Sequence, residues 1–479
     1  MPDLLLHLWH AMQGIPHLRA WLTAGWLLYL AWLGTWILLQ KREPVATLSW
    51  LISLALLPYL GFFIYYVFGP QRLSRHRARR RQRTTLPEAE TARTPVAQEL
   101  RTLAQATSGY APSTACNIAL LVDGCSKYPA LLDAIAGAKQ HVHLEYYILE
   151  PDRTGQALVE ALAERARAGI KVRLLLDAVG SGHARTAFFR PLLDAGGELA
   201  WFHPGRVWLP WRRPWVNLRT HRKLAIIDGS IGFIGGINIT DEEDPRLRTD
   251  AYRDLHLRLE GEVVRKLQEL FVDDWAYVTG KRDFIRELAR DMPQPCPGAA
   301  RVQLLASGPD SPWEAIHRLH VHAIHAAERR VWLATPYFVP GEAAMMALTS
   351  SALGGLDVRL LVPRMSDSRL VTWCVRSFYD DLLAAGVKIY EYGPRMLHSK
   401  ALLVDDNLAI LGSANFDQRS FRLNFEASML IDDAPFTATL SELLSREFED
   451  ARPVRADRAQ PLLTRRLPEA MARLLAPLL

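Results

Sequence analysis

The sequence predicts an α/β protein in which two similar domains follow a helical hairpin that lies in the membrane. Three observations carry this prediction. Two long uncharged stretches lie near the N-terminus, short apolar runs alternate with amphipathic stretches from about residue 115, and that alternation recurs later in the chain. The chain has 479 residues, about three times the ~150 typical of one domain, so two or three structural units fit.

Composition narrows the class of protein. With 49% hydrophobic and 23% charged residues, the chain can bury a large core and is not generally disordered. Its four cysteines form no C-x-x-C pair, so neither structural zinc nor a disulfide framework is predicted. The chain has a net charge of +6, and seven arginines lie between residues 70 and 83. Without these seven arginines the net charge would be −1. The basic charge is therefore local, and a nucleic acid is not an expected partner.

The N-terminal region, residues 1–69, is predicted to form two membrane spans, at about 20–39 and 45–68. The first stretch holds no formally charged residue, and as a helix it would cover about 30 Å, the thickness of a bilayer core. A signal peptide would have a shorter apolar region and would not be followed by a second span. Two buried helices of a soluble protein are the alternative interpretation.

The arginine run predicts the orientation of the chain. Clustered positive charge next to a span stays in the cytoplasm, and a two-helix hairpin places both of its ends on one side. Residues 70–112 are therefore predicted as a basic, partly helical cytoplasmic linker, and the rest of the chain as cytoplasmic. The run is equally compatible with binding to anionic lipid headgroups and with a purely topological role.

A strand–helix–strand pattern occurs twice after residue 113. Its predicted elements are Val142–Ile148, Gly155–Ala168 and Val172–Leu176 in the first copy, and Val331–Thr335, Glu342–Leu353 and Val358–Val362 in the second. The segments Gly169–Leu176 and Gly355–Val362 match almost position by position. A repeat of about 180 residues is too long for a solenoid unit. It implies two copies of one α/β domain, at 113–290 and 291–479, which meet in a proline-rich stretch.

Each copy contains one histidine, one lysine, one aspartate and one asparagine at the same spacing. These residues are His221, Lys223, Asp228 and Asn238 in the first copy, and His398, Lys400, Asp405 and Asn415 in the second. Lysine follows histidine by two residues, aspartate follows lysine by five, and asparagine follows histidine by seventeen. Two such sets in one chain are a specific signal for a duplicated functional site.

The spacing has a structural reason. Residues two apart on a strand project to the same face, so each histidine and its lysine are expected side by side. The apolar residues that follow continue the strand, Asp228 and Asp405 fall in hairpin turns, and downstream glycines bring the asparagine back. A base, a cation and an amide donor suit a phosphodiester, because they can attack or protonate it and hold its oxygens. No cysteine or carboxylate cluster demands a metal.

These motifs resemble those of the phospholipase D superfamily, and the chain as a whole is similar to bacterial cardiolipin synthases. The segments that carry the resemblance, beside the two motifs and the N-terminal stretches, are Asn217–Lys223, Tyr252–Asp254, Thr335–Phe338 and Gly412–Glu426. The resemblance implies two phospholipase D-like domains, each a mixed sheet flanked by helices, related by a pseudo-twofold axis with the active site between them. It also implies the reaction, in which two phosphatidylglycerol molecules give cardiolipin and glycerol without a cofactor at the bacterial inner membrane.

The resemblance assigns a role to each motif residue. His221 is expected to form a phosphatidyl-histidine, while His398 protonates the leaving alcohol and then deprotonates the acceptor. Neither spacing nor composition distinguishes the two histidines. Asp254 is expected to orient His398, and Glu426 to orient His221. The residues expected to bind the phosphate are Lys223, Asn238, Lys400 and Asn415.

Two further details follow from the same comparison of the copies. Asp228 and Asp405 belong to the catalytic motifs, but we expect them to organise the turn and the lysine rather than to react. Gly236 stands where the second copy has Ser413. The hydroxyl of Ser413 is therefore not required in both copies.

Four clustered histidines, a tryptophan-rich stretch and the C-terminal stretch each have a functional and a packing interpretation. His317, His320, His322 and His325 lie in a predicted amphipathic helix, where a shared helix face explains them better than a metal site. The stretch 201–215 holds four tryptophans and three arginines and suits a membrane-interface loop or a packed loop equally. The C-terminal stretch Leu462–Leu479 has helical spacing, and we expect it to pack on the second domain rather than to lie on the membrane.

Other functions are compatible with the motifs. A phospholipase D that releases phosphatidate is the nearest alternative, because water can replace the acceptor alcohol. A phosphatidylserine synthase or a nuclease would use the same motifs, but a membrane hairpin argues against a soluble nucleic acid. A lipid-binding scaffold with an inactive site is opposed by the two complete motifs. Phosphatidylethanolamine as a donor, the oligomeric state and protein partners are left open.

Overall fold

The structure is a computed structural model. It describes residues 17–38, 48, 51, 52, 54, 95–203, 218–282, 288, 296–311, 313–458 and 461–476. Most of the second predicted span, the arginine run, most of the tryptophan-rich stretch and most of the proline-rich boundary lie outside the described residues. The described residues fall into two units, one before residue 71 and one from residue 95 onward.

The N-terminal unit contains the helix Leu18–Leu38. Leu33 is buried against Leu54, and Tyr29 and Leu51 pack beside them. In the part of the chain that the structure describes, no helix combines the length and the apolar content needed to cross a membrane. The helix predicted at 20–39 is present, whereas the hairpin of two membrane spans stays a prediction.

The second unit is built on two large mixed β-sheets and a small two-stranded one, counted over its described residues. In chain order its strands are β1 (Ser113–Ala115), β2 (Asn117–Val122), β3 (His141–Tyr146), β4 (Lys171–Asp177), β5 (Glu198–Phe202), β6 (Leu224–Ile227), β7 (Ile231–Gly235), β8 (Leu255–Glu260), β9 (Ala300–Ser307), β10 (Arg330–Ala334), β11 (Phe338–Val339), β12 (Asp357–Pro363), β13 (Lys388–Tyr392), β14 (Ala401–Val404), β15 (Leu408–Gly412), β16 (Phe416–Asp417), β17 (Glu426–Asp432) and β18 (Ala451–Pro453).

Helices connect and cover these strands. The α-helices of this unit are Pro95–Ser108, Asp123–Ala136, Arg153–Arg167, Arg190–Asp194, Val263–Thr279, Ala315–His325, Glu342–Leu353, Arg369–Arg376, Tyr379–Ala384, Gln418–Arg422, Ala434–Glu449 and Leu467–Leu474. Short 3-10 helices occur at Thr186–Phe189 and Asp241–Glu243, and a π-helical turn at Leu462–Arg466. The strands and helices predicted in the two repeated patterns begin and end within two residues of the observed ones.

The two large sheets have the same topology. The first has the strand order β2-β8-β7-β6-β3-β4-β5, and the second contains the corresponding order β9-β17-β15-β14-β10-β12-β13. In each sheet three strands run parallel, β3 with β4 and β5, and β10 with β12 and β13, while the others pair antiparallel. Strands β1 and β18 extend the second sheet at its two edges. The predicted duplication of a mixed α/β domain is therefore confirmed.

Each sheet packs on the other domain through one face and on its own helices through the other. One apolar core contains residues of both sheets, such as Leu257 of β8 and Met429 of β17, together with the helix Val263–Thr279. Separate cores lie on the outer face of each sheet. Because side chains alternate between the two faces of a strand, β4 places Leu175 in the shared core and Leu174 in the outer one. This explains why Leu174, Leu175 and Leu176 follow one another in β4 without a polar residue between them.

The two domains are also tied together at their beginnings. The helix Pro95–Ser108, part of the predicted linker, packs on the second domain, where Arg101 Nη2 donates to Asp432 Oδ2 at 2.8 Å. Cys116 and Cys296 form a disulfide across 180 positions of sequence. The sequence analysis predicted no disulfide framework, and it did not predict this single bond. Spacing along the chain cannot reveal a contact that the topology of the two domains creates.

Candidate active site

The two histidine motifs meet where the backbones of the two domains cross. The N–H of His221 donates to the carbonyl of Phe425 at 2.9 Å, and the N–H of His398 donates to the carbonyl of Arg253 at 2.7 Å. Both contacts accompany short parallel bridges between the domains. The histidines and lysines were predicted inside a strand, but β6 and β14 begin directly after each lysine. The histidine backbones pair with the other domain instead.

Each crossing brings a buried carboxylate to the histidine of the other domain. Glu426 follows Phe425, and its Oε1 lies 3.0 Å from Nδ1 of His221. Asp254 follows Arg253, and its Oδ2 lies 2.6 Å from Nδ1 of His398. Both carboxylates are fully buried. A carboxylate at Nδ1 holds the proton there, which leaves Nε2 as the nitrogen that can attack or carry a proton.

Each lysine folds back onto the histidine of its own motif. Lys223 Nζ donates to the carbonyl of His221 at 2.7 Å, and Lys400 Nζ donates to the carbonyl of His398. Burial lowers the pKa of Lys223 to about 7 and also lowers the pKa of Lys400. The charge of Lys400 contributes to the lowered pKa of Lys223, so the two motifs act on each other electrostatically. Two buried ammonium groups in one site are stabilised by an anionic ligand.

The two asparagines follow the strands β7 and β15 and are almost fully buried. Asn238 is held on both sides. Its Nδ2 donates to Oε1 of Glu243 at 3.3 Å, and the N–H of Ile148 donates to its Oδ1 at 3.4 Å. Oδ1 of Asn415 has no hydrogen-bond partner among the residues that the structure describes. The first turn is thus more firmly fixed than the second.

The motif aspartates lie away from the histidines. Asp228 and Asp405 both adopt a φ of 52° in the hairpin turns, at the far ends of β6 and β14. At ~3.3 Å per strand residue, each is about 16 Å along the chain from its lysine. Each carboxylate accepts backbone N–H groups at the start of the neighbouring strand, from Lys139, Gln140 and His141 for Asp228, and from Glu328, Arg329 and Arg330 for Asp405. The structure places them as turn residues and does not bring them to the lysines.

The difference between Gly236 and Ser413 has a steric cause. A Cβ atom at Gly236 would lie 2.2 Å from Oδ1 of Asp254, so the first copy has no room for a side chain there. In the second copy the hydroxyl of Ser413 donates to Oε2 of Glu426. The serine therefore supports the carboxylate of His221, and Asp254 occupies the corresponding space beside His398.

The two histidine–carboxylate pairs differ in electrostatics. Burial lowers the pKa of both His221 and His398, and the charge of Lys400 lowers that of His398 further. Burial raises the pKa of Asp254 to about 6. Burial alone would also raise the pKa of Glu426. The charges of His221 and Lys223 outweigh burial, so the pKa of Glu426 is lowered. The pKa of Asp254, at about 6, therefore lies closer to neutral pH than the lowered pKa of Glu426.

Glu243 is a site residue that the sequence reasoning missed. It lies in the 3-10 helix Asp241–Glu243, is fully buried, and its Oε1 lies 3.9 Å from Nδ1 of His398. Burial and the neighbouring Asp254 raise its pKa. The position that corresponds to it in the second copy is Ser420, so comparison of the copies could not single it out. An acid five residues after Asn238 carries no specific signal in the sequence, and its burial is visible only in the structure.

Two other missed residues support the first motif. Tyr147 follows β3, and its ring centre lies 4.9 Å from that of His221 and 5.3 Å from Lys223 Nζ. Lys127 is fully buried behind the asparagine turn, where its Nζ donates to the carbonyl of Asn238 at 3.1 Å. Burial lowers the pKa of Lys127. An isolated lysine and a tyrosine at a strand end carry no specific signal in the sequence.

A metal ion would compete with a lysine in this site. Glu243, Asp254 and His398 each offer one ligand atom, and these atoms lie within 4.8 Å of one another. The ammonium of Lys400 lies 3.4 Å from Oδ2 of Asp254. It already places a positive charge beside these carboxylates, and its repulsion disfavours a second cation there.

The other features noted in the sequence have structural partners. Nδ1 of His317 lies 3.1 Å from Oε2 of Glu314, and its ring stacks on Phe421. Nδ1 of His320 lies 2.8 Å from the carbonyl oxygen of Ile316. Trp201 lies in β5 and packs edge-on against Phe189, and the tryptophans at 208, 211 and 215 lie outside the described residues. These contacts are those of core and helix packing.

Comparison with known proteins follows the same division of the chain. The family model described as "Cardiolipin synthase, PLD-like domain" matches residues 131–275 and 320–450, one range in each domain. A model described as "Phospholipase_D-nuclease N-terminal" matches residues 27–70. A crystal structure of phosphatidylserine synthase from Haemophilus influenzae Rd KW20 superimposes with a TM-score of 0.59 at 14% identity, covering 79% of this chain and 98% of that one. That likeness is one of fold.

Similarity to curated sequences is closer. A cardiolipin synthase of Geobacillus sp. (strain WCH70) is 40% identical over 460 residues, which cover 92% of this chain and 91% of that protein. Cardiolipin synthase 2 of Bacillus anthracis is 39% identical over 464 residues, which cover 93% of this chain and 89% of the other. Similarity at this level extends over both domains and both motifs. The chain therefore belongs to the cardiolipin synthase family of phospholipase D-like proteins.

Proposed function

We propose that the protein is a phosphatidyltransferase that converts two phosphatidylglycerol molecules into cardiolipin and glycerol. The observation that carries the proposal is the crossed arrangement of two histidines, each held at Nδ1 by a buried carboxylate of the other domain. Two buried lysines beside them supply the positive charge that a phosphodiester requires. The names of relatives that are 39% and 40% identical to this chain support the same reaction.

In the first step, Nε2 of His221 attacks the phosphorus of the donor lipid. The P–N bond forms while the bond from phosphorus to the glycerol headgroup oxygen breaks, and His398 gives its Nε2 proton to that oxygen. Glu426 keeps the proton on Nδ1 of His221 and stabilises the positive charge that develops on the ring. The side chains that bind the phosphate oxygens are Lys223, Asn238, Lys400 and Asn415.

In the second step, His398 acts as a base. It takes the proton from a headgroup hydroxyl of the second phosphatidylglycerol, whose oxygen attacks the phosphorus as the P–N bond breaks. His221 and the protonated His398 are thereby restored. Each step exchanges one phosphorus bond for another of similar energy, so no nucleotide is consumed.

The assignment of His221 as the nucleophile rests on the resemblance to relatives, because burial lowers the pKa of both histidines and does not set His398 apart as the acid. An ionised Glu426, whose pKa is lowered by His221 and Lys223 although burial opposes this, holds the tautomer with a free lone pair on Nε2. Asp254, whose pKa burial raises to about 6, stands beside the histidine that must give and take back a proton. Asp228 and Asp405 have no part in either step.

The test is to locate the covalent lipid. Protein incubated with labelled phosphatidylglycerol is quenched in acid, digested and examined by mass spectrometry. We expect the phosphatidyl group on His221 and none in His221→Ala. With a donor that carries a p-nitrophenol leaving group, which needs no protonation, His398→Asn should still form the adduct but turn over slowly. An adduct on His398 would reverse the assignment, and transfer without any adduct would refute the double displacement.

The products test the substrate class separately. Separation of the lipids by chromatography should give cardiolipin together with free glycerol in equal amounts. Phosphatidate without cardiolipin would instead identify a hydrolase that uses water as the acceptor. Replacement of phosphatidylglycerol by phosphatidylethanolamine as the donor, with labelled phosphatidylglycerol as the acceptor, shows whether the headgroup of the donor matters.

We also propose that residues 20–39 and 45–68 anchor the protein in the bacterial inner membrane with the catalytic unit in the cytoplasm. The uncharged stretches and the match of residues 27–70 to an N-terminal family model support the anchor, and the arginine run supports the orientation. The Cys116–Cys296 disulfide favours the opposite side, because disulfides persist mainly in oxidising compartments. Reporters fused after Leu479 decide between them. A reporter active only in the periplasm would overturn the orientation and the leaflet that supplies the substrate.

A further inference from the structure

The C-terminal segment 461–476 exposes its apolar side and buries its polar side. The helix Leu467–Leu474 contacts the second domain through Glu469, which is 5% exposed and accepts from Arg458, and through Ala472, which is 2% exposed. Arg473 adds an ion pair to Asp381 at 3.1 Å. The helix does pack on the second domain, as the sequence predicted, but through a small residue and charged side chains.

Large apolar side chains occupy the other side of this helix and the turn before it. Leu467, Met471 and Leu474 follow the i, i+4, i+7 spacing of a single helix face, and that face is turned outward. Leu474 is 80% exposed and Leu463 75%. The C-terminal apolar surface is formed by Leu462, Leu463, Leu467, Met471, Leu474 and Leu475. A soluble helix would bury such a face, and a contiguous exposed patch of this kind marks a contact with another apolar phase.

The charged residues around this surface indicate which apolar environment it contacts. Between residues 452 and 473 the chain carries six arginines and only two acidic residues. Three of these arginines are paired with acids: Arg455 with Asp457, Arg458 with Asp380 and Glu469, and Arg473 with Asp381. Arg465 and Arg466 lie in the turn Leu462–Arg466, within the exposed surface itself. A second copy of the chain would bring two arginine-rich surfaces together, whereas an anionic bilayer satisfies both the apolar side chains and the charges.

We propose that the C-terminal apolar surface docks on an anionic lipid bilayer, with its leucines and methionine among the acyl chains and its arginines at the headgroups. The inference rests on the proposed function, because a catalytic unit that uses phosphatidylglycerol must remain at a bilayer rich in that anion. It assigns to this helix the task of holding the second domain on the surface from which both substrates come.

The test compares a bilayer substrate with a soluble one. The full-length protein is reconstituted in vesicles, and transfer is measured with long-chain phosphatidylglycerol in the bilayer and with dihexanoyl phosphatidylglycerol dissolved as monomers. In the double variant Leu463→Glu/Met471→Glu we expect the bilayer reaction to fall about tenfold or more, with the monomer reaction unchanged. The matched control is Ala438→Glu, an exposed position on Ala434–Glu449, which packs on the other face of the second sheet.

Each outcome decides the proposal. An equal loss of activity with both substrates would mean that the surface stabilises the fold and does not dock on the bilayer. No loss with either substrate would refute docking. An equal effect of Ala438→Glu would show that added negative charge alone causes the loss. If the protein transfers neither lipid, the proposed function fails and docking is judged separately. Leu463→Cys labelled with an environment-sensitive dye must then shift to the blue with anionic vesicles and not with neutral ones, while labelled Ala438→Cys shifts with neither. Disulfide cross-linking of two copies through Leu463→Cys would reveal self-association at this surface and overturn the proposal.

Discussion

At the residue scale, Lys400 shows how burial and charge are balanced in the site. Its Nζ lies 3.4 Å from Oδ2 of Asp254, and burial lowers its pKa while Asp254 raises it again. Removal of the ammonium leaves Lys223 as the remaining lysine that balances the buried carboxylates and the incoming phosphate. We expect Lys400→Ala to lower kcat/KM for cardiolipin formation by about 10²–10³-fold. Initial rates with labelled phosphatidylglycerol measure this.

Two further variants test the lysine more closely. Lys400→Arg should not recover full activity, because a planar guanidinium does not fit a site shaped around a compact ammonium. Lys388→Ala, at an exposed lysine paired with Asp357, is the control and should keep wild-type rates. Near-wild-type turnover of Lys400→Ala would show that the second motif does not take part in a shared site.

Glu243 is the residue for which the structure predicts an effect on pH dependence. Its negative charge raises the pKa of His398, against the larger lowering by burial and by Lys400. Glu243→Gln removes that charge, so His398 loses its proton at a lower pH. In the proposed mechanism the first step needs protonated His398, and the alkaline limb of the pH–rate profile should therefore move to lower pH.

The matched control for this prediction is the neighbouring residue. Glu242→Gln changes the same charge at a half-exposed side chain and should leave the profile in place. With the p-nitrophenol donor, which needs no general acid, Glu243→Gln should show no shift of the alkaline limb. A uniform loss of activity without any shift would mean that Glu243 only supports the fold around Asn238.

At the element scale, the aspartate of each motif stabilises a hairpin turn, whereas the proposed chemistry belongs to the histidine and the lysine at the other end of the strand. Asp228 accepts three backbone N–H groups of residues 139–141 and adopts a positive φ, which alanine tolerates poorly. We expect Asp228→Ala to lower the midpoint of thermal unfolding by roughly 5 °C. Its kcat/KM should change far less than that of Lys223→Ala. Ser230→Ala in the same turn is the control, and a loss of turnover at unchanged stability would return Asp228 to the chemistry.

Local sequence patterns predicted most of the elements, and long-range contacts account for what they missed. The apolar runs of β4 and β12, the hairpins after each lysine and the repeat itself were readable, because period and spacing are local properties. The backbone contact between Phe425 and His221 could not be predicted, because it depends on how the two domains pack together. The pairing of Glu426 and Asp254 with the histidines was expected only from resemblance to a known family. Glu243 and the Cys116–Cys296 bond had no local signal.

At the scale of the whole molecule, the candidate active site is built from both domains. Each histidine takes its carboxylate from the opposite domain, and Gly236 leaves just enough space for Asp254. Neither domain alone therefore contains a complete histidine–carboxylate pair. The shared apolar core and the crossed backbone contacts fix the distance between the motifs, so any change that separates the domains should affect both catalytic steps together.

The disulfide between Cys116 and Cys296 is the covalent part of that connection. It closes a loop of 180 residues, and in the chain-entropy view a loop of this length stabilises the folded state by about 5 kcal/mol at most. We expect dithiothreitol to lower the unfolding midpoint of the purified protein. The midpoint of Cys116→Ser should be low already and insensitive to the reductant.

Because β1 and the shared core also join the domains, the reduced protein should keep its transfer activity at temperatures well below that midpoint. If reduction abolished the activity of folded protein, the disulfide would be holding the two motifs in register, and the apolar core would not be sufficient to position the site.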